Sequence, residues 1–350
     1  MGRVVQSAVT LEHSGFSISG KFGFKLFEMQ PCAVRQFGDK IPNVRNVRIA
    51  RQLDRSNIVC YVNGPDEKYA ENCMVVFDTC KNADIVEITT PPECGKIVNI
   101  QVCQNSLAIF NEKRLFCYKF PSCQQIRKEE IRQNPNGLSA MSYEPTTASC
   151  YLAFPGYNTG TINILNLSTL TTRESKAPVV IEAHVNEISQ VALNCQGTLV
   201  ATGSTKGTVI RVFDARNKAM LYDLRRGTVP AHLHCLAFSP CSSFLAVASD
   251  KGTLHVFGIR NSETKKKINV LNMGTSSLAK IQLERPVLAL GFTKQTPRYI
   301  QSLVAICADG TYWRYPFSKD HDHVTVHQKD VGFHDLIQMY GDKEFFIQSE

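Results

Sequence analysis

The chain has no pair of cysteines at CxxC spacing, although it carries 13 cysteines in 350 residues. Structural zinc sites and thiol redox motifs need that spacing, so neither is expected, and no metal is assigned. The cysteines are odd in number and scattered singly, and Cys60, Cys103, Cys117, Cys235 and Cys307 sit inside apolar runs. They are expected to be reduced, small apolar fillers of a cytosolic protein rather than a disulfide framework. Long apolar runs are missing too: stretches such as residues 245–248 fall far short of the ~20 residues that span a bilayer. The first residues lack the charged-then-apolar pattern of a secretory leader. Gly2 is followed by Gln6 where a myristoylation signal has Ser or Thr. Any membrane contact is therefore expected to be peripheral.

No segment keeps a 3.6-residue apolar period over three turns, which leaves little room for helix. No Ser-His-Asp or Cys-His arrangement emerges from the spacing, and no catalysis or cofactor is assigned. Residues 203–208 lack the Gly-Lys-Ser/Thr order of a phosphate loop, and no helix pattern follows them. His321, His323 and His327 have some look of metal ligands, but nothing accompanies them and a surface turn is expected. His232 and His234 are expected to be satisfied structural histidines, and the single Trp313 to pack within the last sheet.

What is present is a repeat. Residues 199–208 (LVATGSTKGT) and 244–253 (FLAVASDKGT) nearly superimpose, with Ser204 and Ser249, Lys206 and Lys251, and Thr208 and Thr253 each 45 positions apart. A period near 45 with a strand–turn–strand pattern is that of a WD-type propeller blade. Gly-Thr pairs at Gly160, Gly207, Gly252 and Gly310 mark a shared turn. The strand pattern predicts an all-β, seven-bladed propeller filling residues 1–350 as one domain. Blade one uses residues 15–19 and 22–27. Blade two uses 57–63, 73–77 and 85–89, and blade three 98–102, 106–111 and 114–120. Blade four uses 139–143, 149–154 and 161–165. Blades five and six run over 188–225 and 232–257. Blade seven holds 287–292, 303–307 and 311–315, followed by a C-terminal segment, 331–350. The competing arrangement is a pair of β-sandwiches, which the self-match disfavours.

Leu224, Arg225, Arg226 and Gly227 fall in the connection between blades five and six. Neighbouring side chains of an extended segment point to opposite sides. One arginine can thus serve a pocket on the earlier blade and the other a pocket on the later one, a tandem anion receptor. The formal charge of +8 favours acidic partners in general. One interval is long: the Gly-Thr pairs at 252 and 310 are 58 apart. The excess, residues 259–285, mixes Lys265, Lys266 and Lys267 with Ile268, Leu271, Met273 and Leu278. Beside anion pockets it reads as a membrane-facing arm. The plainer reading is a solvated insertion with apolar anchors onto its own blade.

These residues bring the chain close to a known family. It resembles the PROPPINs, the seven-bladed phosphoinositide-binding propellers that include the WIPI proteins. The resemblance rests on residues 224–227 (LRRG), 152–156 (LAFPG), 194–198 (NCQGT), 206–214 (KGTVIRVFD), 248–253 (ASDKGT) and 305–310 (AICADG). The Leu form of the hallmark is similar to that in the branch of WIPI proteins 3 and 4. The resemblance implies a non-enzymatic effector that binds phosphatidylinositol 3-phosphate and the 3,5-bisphosphate, not nucleic acid. The implied first site holds His184, Ser204, Thr205, Lys206 and Arg225; the second holds Arg226, Ser249, Lys251 and Thr253. It further implies a monomeric adaptor in autophagosome formation, cytoplasmic and peripheral on phagophore, autophagosomal and endosomal membranes. A protein-only scaffold that binds acidic peptides is the alternative. His184, once protonated, is expected to strengthen binding at mildly acidic pH. Residues 10–15 (TLEHSG) stand where relatives have a Phe-Asn-Gln-Asp-like segment that helps hold an autophagy lipid-transfer partner. Asp250 stands where the first site has Thr205, so the second site is expected to be the weaker or more selective.

Overall fold

Seven antiparallel sheets follow one another along the chain, each built from one contiguous segment. The computed structural model describes residues 6–35, 44–171, 177–259, 276–296, 301–320, 323–326 and 332–336. The first strand of each sheet touches the first strands of the two neighbouring sheets, and that of sheet seven touches that of sheet one. The sheets are therefore blades of a closed ring, and the seven-bladed propeller expected from the repeat is what forms.

The core is divided among the blade junctions. Each of seven clusters of buried apolar side chains joins two adjacent blades. Sheets that are apolar on both faces must bury both, and ring stacking is how these do it. The closing junction uses no exchanged strand among the described residues. Phe16 stacks on Tyr312 at 5.6 Å, and the Tyr312 hydroxyl donates to the Met29 carbonyl at 2.6 Å.

The sequence pattern missed mostly the first and last strands of blades. Gln6–Val9 and Val47–Gln52 are inner strands, while Cys32–Val34, Gln125–Glu130, Val179–Glu182 and Ala279–Gln282 are outer ones. In blade seven, His323–Val326 and Gly332–Asp335 both pair with Thr311–Asp320. Several outer strands are only three or four residues long, and others are charged, as in the QIRKEE of blade three, because an exposed edge must resist pairing with other chains. That charge hides the apolar alternation by which strands are recognised.

The blade-six insertion is shorter than the sequence suggested. Ala279–Gln282 completes the sheet, with Ile281 buried. The Leu278 amide donates to the Val256 carbonyl at 2.8 Å, and its side chain packs on the core shared with blade seven. Leu278 is thus an anchor on its own blade, not a membrane-facing residue. Lys265, Lys266, Lys267, Ile268, Leu271 and Met273 lie outside the described residues.

All 13 cysteines are free. Cys60, Cys73, Cys103, Cys117, Cys150 and Cys307 are buried fillers, whereas Cys80 and Cys241 are exposed. Trp313 packs against the junction of blades six and seven, and its indole N–H donates to Thr311 Oγ1 at 3.1 Å.

Candidate functional site: two crevices flanking blade five

Each blade's second strand ends in a turn, and its fourth strand ends beside that turn. The Gly-Thr turns of blades four to seven all place their glycine in the left-handed region, at φ 73° (Gly160), 65° (Gly207), 67° (Gly252) and 80° (Gly310). The turn then captures the departing chain: the His184 amide donates to the Gly160 carbonyl, and the Arg226 amide to Thr208. Departing chain and next turn are joined as well, by Thr205 N–H to Glu187 O at 2.8 Å and Asp250 N–H to His232 O at 3.0 Å. His184, residues 204–206, Arg225, Arg226, Ser249 and Lys251 therefore lie along one rim of blades four, five and six.

Alternation sorts the two arginines. In the outer strand of blade five, Met220–Arg225, Leu224 is fully buried in the five–six junction and Tyr222 packs against it. Asp223 and Arg225 therefore face blade four. Asp223 accepts from Arg211 Nε at 3.4 Å, and Arg211 Nη1 donates to the Ala183 carbonyl of blade four at 2.7 Å. Thr202, on the second strand, meets His184 Nε2 at 3.0 Å through its hydroxyl, and Ser204 lies two residues on along the same face. Thr205, Lys206 and Arg225 are exposed. The first crevice, between blades four and five, thus gathers His184, Thr202, Ser204, Arg211 and Arg225.

Arg226 goes the other way and is only 7% exposed. Its Nε donates to the Gly207 carbonyl at 2.7 Å and its Nη2 to the Val229 carbonyl. Burial lowers its pKa and the nearby Asp250 carboxylate raises it, so Arg226 reaches toward blade six. There, Thr253 and His255 share a face, with Thr253 Oγ1 3.2 Å from His255 Nε2. Ser249 Oγ is buried and has no hydrogen-bond partner among the described residues. Lys251 Nζ lies 3.9 Å from Asp250 Oδ2, with both side chains exposed.

The two crevices are homologous but not identical. The 45-residue offset relates Leu199–Ser204 to Phe244–Ser249, and then slips to 253 − 209 = 44 for the third strands, Val209–Asp214 and Thr253–Gly258. Thr253 is therefore the counterpart of Val209, not of Thr208, and His255 the counterpart of Arg211. Arg211, Thr202 and His255 escaped the sequence reading because the slip cannot be seen without the strand register. His255 pairs across the sheet with Lys280 where Arg211 pairs with Asp223, so the outer strand adds a cation to the second crevice and an acid to the first.

Burial holds His184 neutral: its pKa falls to about 4, with a Thr202 backbone hydrogen bond opposing and Arg211 adding to the fall. The expectation that it is protonated at mildly acidic pH is thus corrected for the unliganded protein. Burial, with Arg226 and Lys280, likewise lowers His255 to about 4, and burial and Lys294 lower His13 to about 4. The unfolded chain takes up protons on these three near pH 6.5 while the folded chain does not, so stability drops as pH falls from about 6.5 toward 4. Asp54 opposes them, since burial raises its pKa to about 6 and its protonation favours the fold at low pH. Burial lowers His234 and His334 as well, so the histidines outnumber Asp54 and the net is a loss. Urea midpoints at pH 7, 6 and 5 should decline in that order; a flat or rising series would show that these histidines are not held neutral.

Elsewhere, His232 and His234 lie 5.4 Å apart and border cavities of the central channel, of about 740 and 350 Å³ respectively, instead of being enclosed in a blade. Among the described residues no three His, Cys, Asp or Glu side chains gather as metal ligands, and His321 and His327 lie outside them. No helix among them is long and apolar enough to cross a membrane.

A family model described as PROPPIN matches residues 8–273. The chain is a PROPPIN. It is 55% identical over 348 residues to Ectopic P granules protein 6 of Caenorhabditis elegans, covering 97% of this chain and 89% of that one. SVP1-like protein 2 of Schizosaccharomyces pombe is 31% identical over 75% of this PROPPIN and 69% of its own length. Among solved structures, Kluyveromyces lactis Hsv2 superposes with a TM-score of 0.75 over 96% of this chain and 100% of its own, at 20% identity. KlAtg21, solved in complex with the coiled-coil of AgAtg16, superposes with a TM-score of 0.73 over 93% and 98%, at 18% identity. At those identities the structures establish the shared fold.

Proposed function

We propose that this PROPPIN is a non-enzymatic membrane effector. It binds phosphatidylinositol 3-phosphate and the 3,5-bisphosphate through the two crevices and acts as an adaptor in autophagosome formation. The observation that carries the reading is the divergence of Arg225 and Arg226 into crevices on opposite sides of blade five. The chemistry suits a phosphorylated headgroup: a guanidinium offers a planar fork to phosphate oxygens, lysine adds a point charge, and hydroxyls donate without repulsion. His184, Ser204, Thr205, Lys206 and Arg225 form the first site; Arg226, Ser249, Lys251 and Thr253 form the second. Two weak sites on one rigid ring suffice, because engaging one raises the effective headgroup concentration at the other. The family supports this role, as do the names of two relatives: Autophagy-related protein 18e of Arabidopsis thaliana and Autophagy-related protein 18 of Dictyostelium discoideum, each 29% identical. We place its action on phagophore, autophagosomal and endosomal membranes, and assign it to the branch of WIPI proteins 3 and 4. The KlAtg21 complex makes a coiled coil a fitting class of protein partner. An autophagy lipid-transfer protein is a second one.

Flotation on vesicles containing phosphatidylinositol 3-phosphate tests the reading. Binding that depends on that lipid supports it, and binding indifferent to it favours a scaffold for acidic peptides. Deleting residues 265–273 should weaken vesicle attachment by about a hundredfold, at roughly 1 kcal/mol for each of the three lysines held near an anionic surface, and spare soluble headgroup affinity. An equal loss of both would mean that the segment shapes the crevices.

A further inference from the structure

Three of the few large apolar side chains left in water among the described residues stand on the rim that carries the two crevices. Val185 is 91% exposed, Tyr157 70% and Val229 62%. Val185 follows His184 directly in the chain leaving blade four. Tyr157 stands in the adjoining turn of that blade, where a Cβ on Gly160 would sit 1.7 Å from the His184 carbonyl. Val229 belongs to the chain leaving blade five, and its carbonyl accepts from the Arg226 guanidinium. The hydrogen bonds from Thr205 to Glu187 and from Ala231 to Lys206 make these segments one surface.

That surface alternates apolar tips with cations. Lys206 and Arg225 are exposed between Val185 and Val229, and Lys251 lies beyond. Of its acids, Glu187 pairs with Arg132 and Asp250 lies near Lys251. Exposed apolar tips interleaved with cations suit the boundary between headgroups and acyl chains, where apolar area is buried and anionic lipid is attracted together.

We propose that Tyr157, Val185 and Val229 are a second set of membrane anchors that enter the lipid surface beside the two crevices, independently of the blade-six insertion. The proposal rests on the lipid reading above and deepens it: the rim around the pockets, and not the pockets alone, touches the bilayer. Val185 flanks the first headgroup and Val229 the second, so headgroup capture sets the depth at which both enter.

The test compares the wild-type chain with a Val185→Ser/Val229→Ser variant. Vesicles are phosphatidylcholine doped with phosphatidylinositol 3-phosphate, and soluble inositol 1,3-bisphosphate is titrated by calorimetry in parallel. Vesicle affinity should fall about fivefold or more, from the loss of partly buried apolar area, with the soluble headgroup bound as before. Unchanged vesicle affinity overturns the proposal, and so does an equal loss on both ligands. A second measurement does not depend on weakened binding. Val185→Trp in a Trp313→Phe background should be quenched by lipids brominated in their acyl chains; absence of quenching on bound vesicles overturns the proposal while the headgroup sites stand. A wild-type chain that binds neither vesicle nor soluble headgroup removes the lipid reading itself.

Discussion

Replacing Arg225 and Arg226 together with threonine should lower affinity for vesicles carrying phosphatidylinositol 3-phosphate by more than about a hundredfold. A hydrogen bond to a charged group contributes about 1.5–3 kcal/mol, and each guanidinium is the chief fixed charge of its crevice. Either single change should already cost about tenfold, because one remaining site loses the gain from linkage. The two singles should differ in stability. Arg225 is exposed at the end of its strand, so Arg225→Thr should leave the urea midpoint unchanged. Arg226 is buried and ties down the Gly207 and Val229 carbonyls. Arg226→Thr should therefore destabilise the fold by about 1–3 kcal/mol, chiefly the cost of the buried Gly207 carbonyl left without its donor. Equal effects on stability from the two singles would contradict the assignment of opposite faces. Undiminished vesicle binding by a folded double variant would remove the arginine pair from lipid recognition.

The second large effect lies in the backbone. A Cβ at Gly207 would sit 1.9 Å from the Ala231 carbonyl oxygen and 3.0 Å from its carbon. Both contacts are backbone, so no side chain can swing away. Gly207 also has φ 65°, where any other L-residue is strained by roughly 1–2 kcal/mol. Relief requires moving the segment that holds Arg226, since Ala231 N–H bonds the Lys206 carbonyl at 3.2 Å. Gly207→Ala should thus cost more than about 3 kcal/mol, strain and overlap together, and weaken the second crevice. Gly252 is the control. It has φ 67° in the equivalent turn, but its nearest new contact is at 3.5 Å. Gly252→Ala should carry only the conformational strain of roughly 1–2 kcal/mol. Equal urea midpoints for the two alanine variants would mean that the chain leaving blade five gives way freely.

The contrast between these glycines shows how the sequence is read and where reading stops. Both precede Thr, both follow Lys, and they lie 45 residues apart. The repeat therefore announces equivalent turns. It does not say that one turn abuts the next connection at its backbone and the other stands clear, because that depends on how far each chain swings after its outer strand. The same holds for the strands themselves. Phe244–Ser249 announces itself by a continuous apolar run, since middle strands are covered on both faces, and Leu199–Ser204 by matching it. The charged Gln125–Glu130 and the four-residue Ala279–Gln282 do not, because an edge strand is selected for what it repels.

Leu278 makes the point at single-residue scale. In the sequence it belongs to a basic, apolar insertion and resembles its neighbours there. In the fold it is the last residue before a strand, hydrogen-bonded to Val256 and packed on the blade. His184 was recognised as part of the first crevice, but its charge was not legible. A histidine's pKa follows from its burial and its neighbours, here Thr202 and Arg211, which come from a different blade.

The sequence by itself determined the repeat, and with it the propeller, the turn glycines and the position of two adjacent arginines between two blades. These follow from local periodicity, which is written in consecutive residues. Only the tertiary structure decided that Leu224 is buried toward blade six, which turns Arg225 to one crevice and leaves Arg226 for the other. It alone brought Thr202, Arg211 and His255 to those crevices, and Val185 and Val229 to a common rim. Those pairings join residues from different blades, and a junction between blades has no period in the chain.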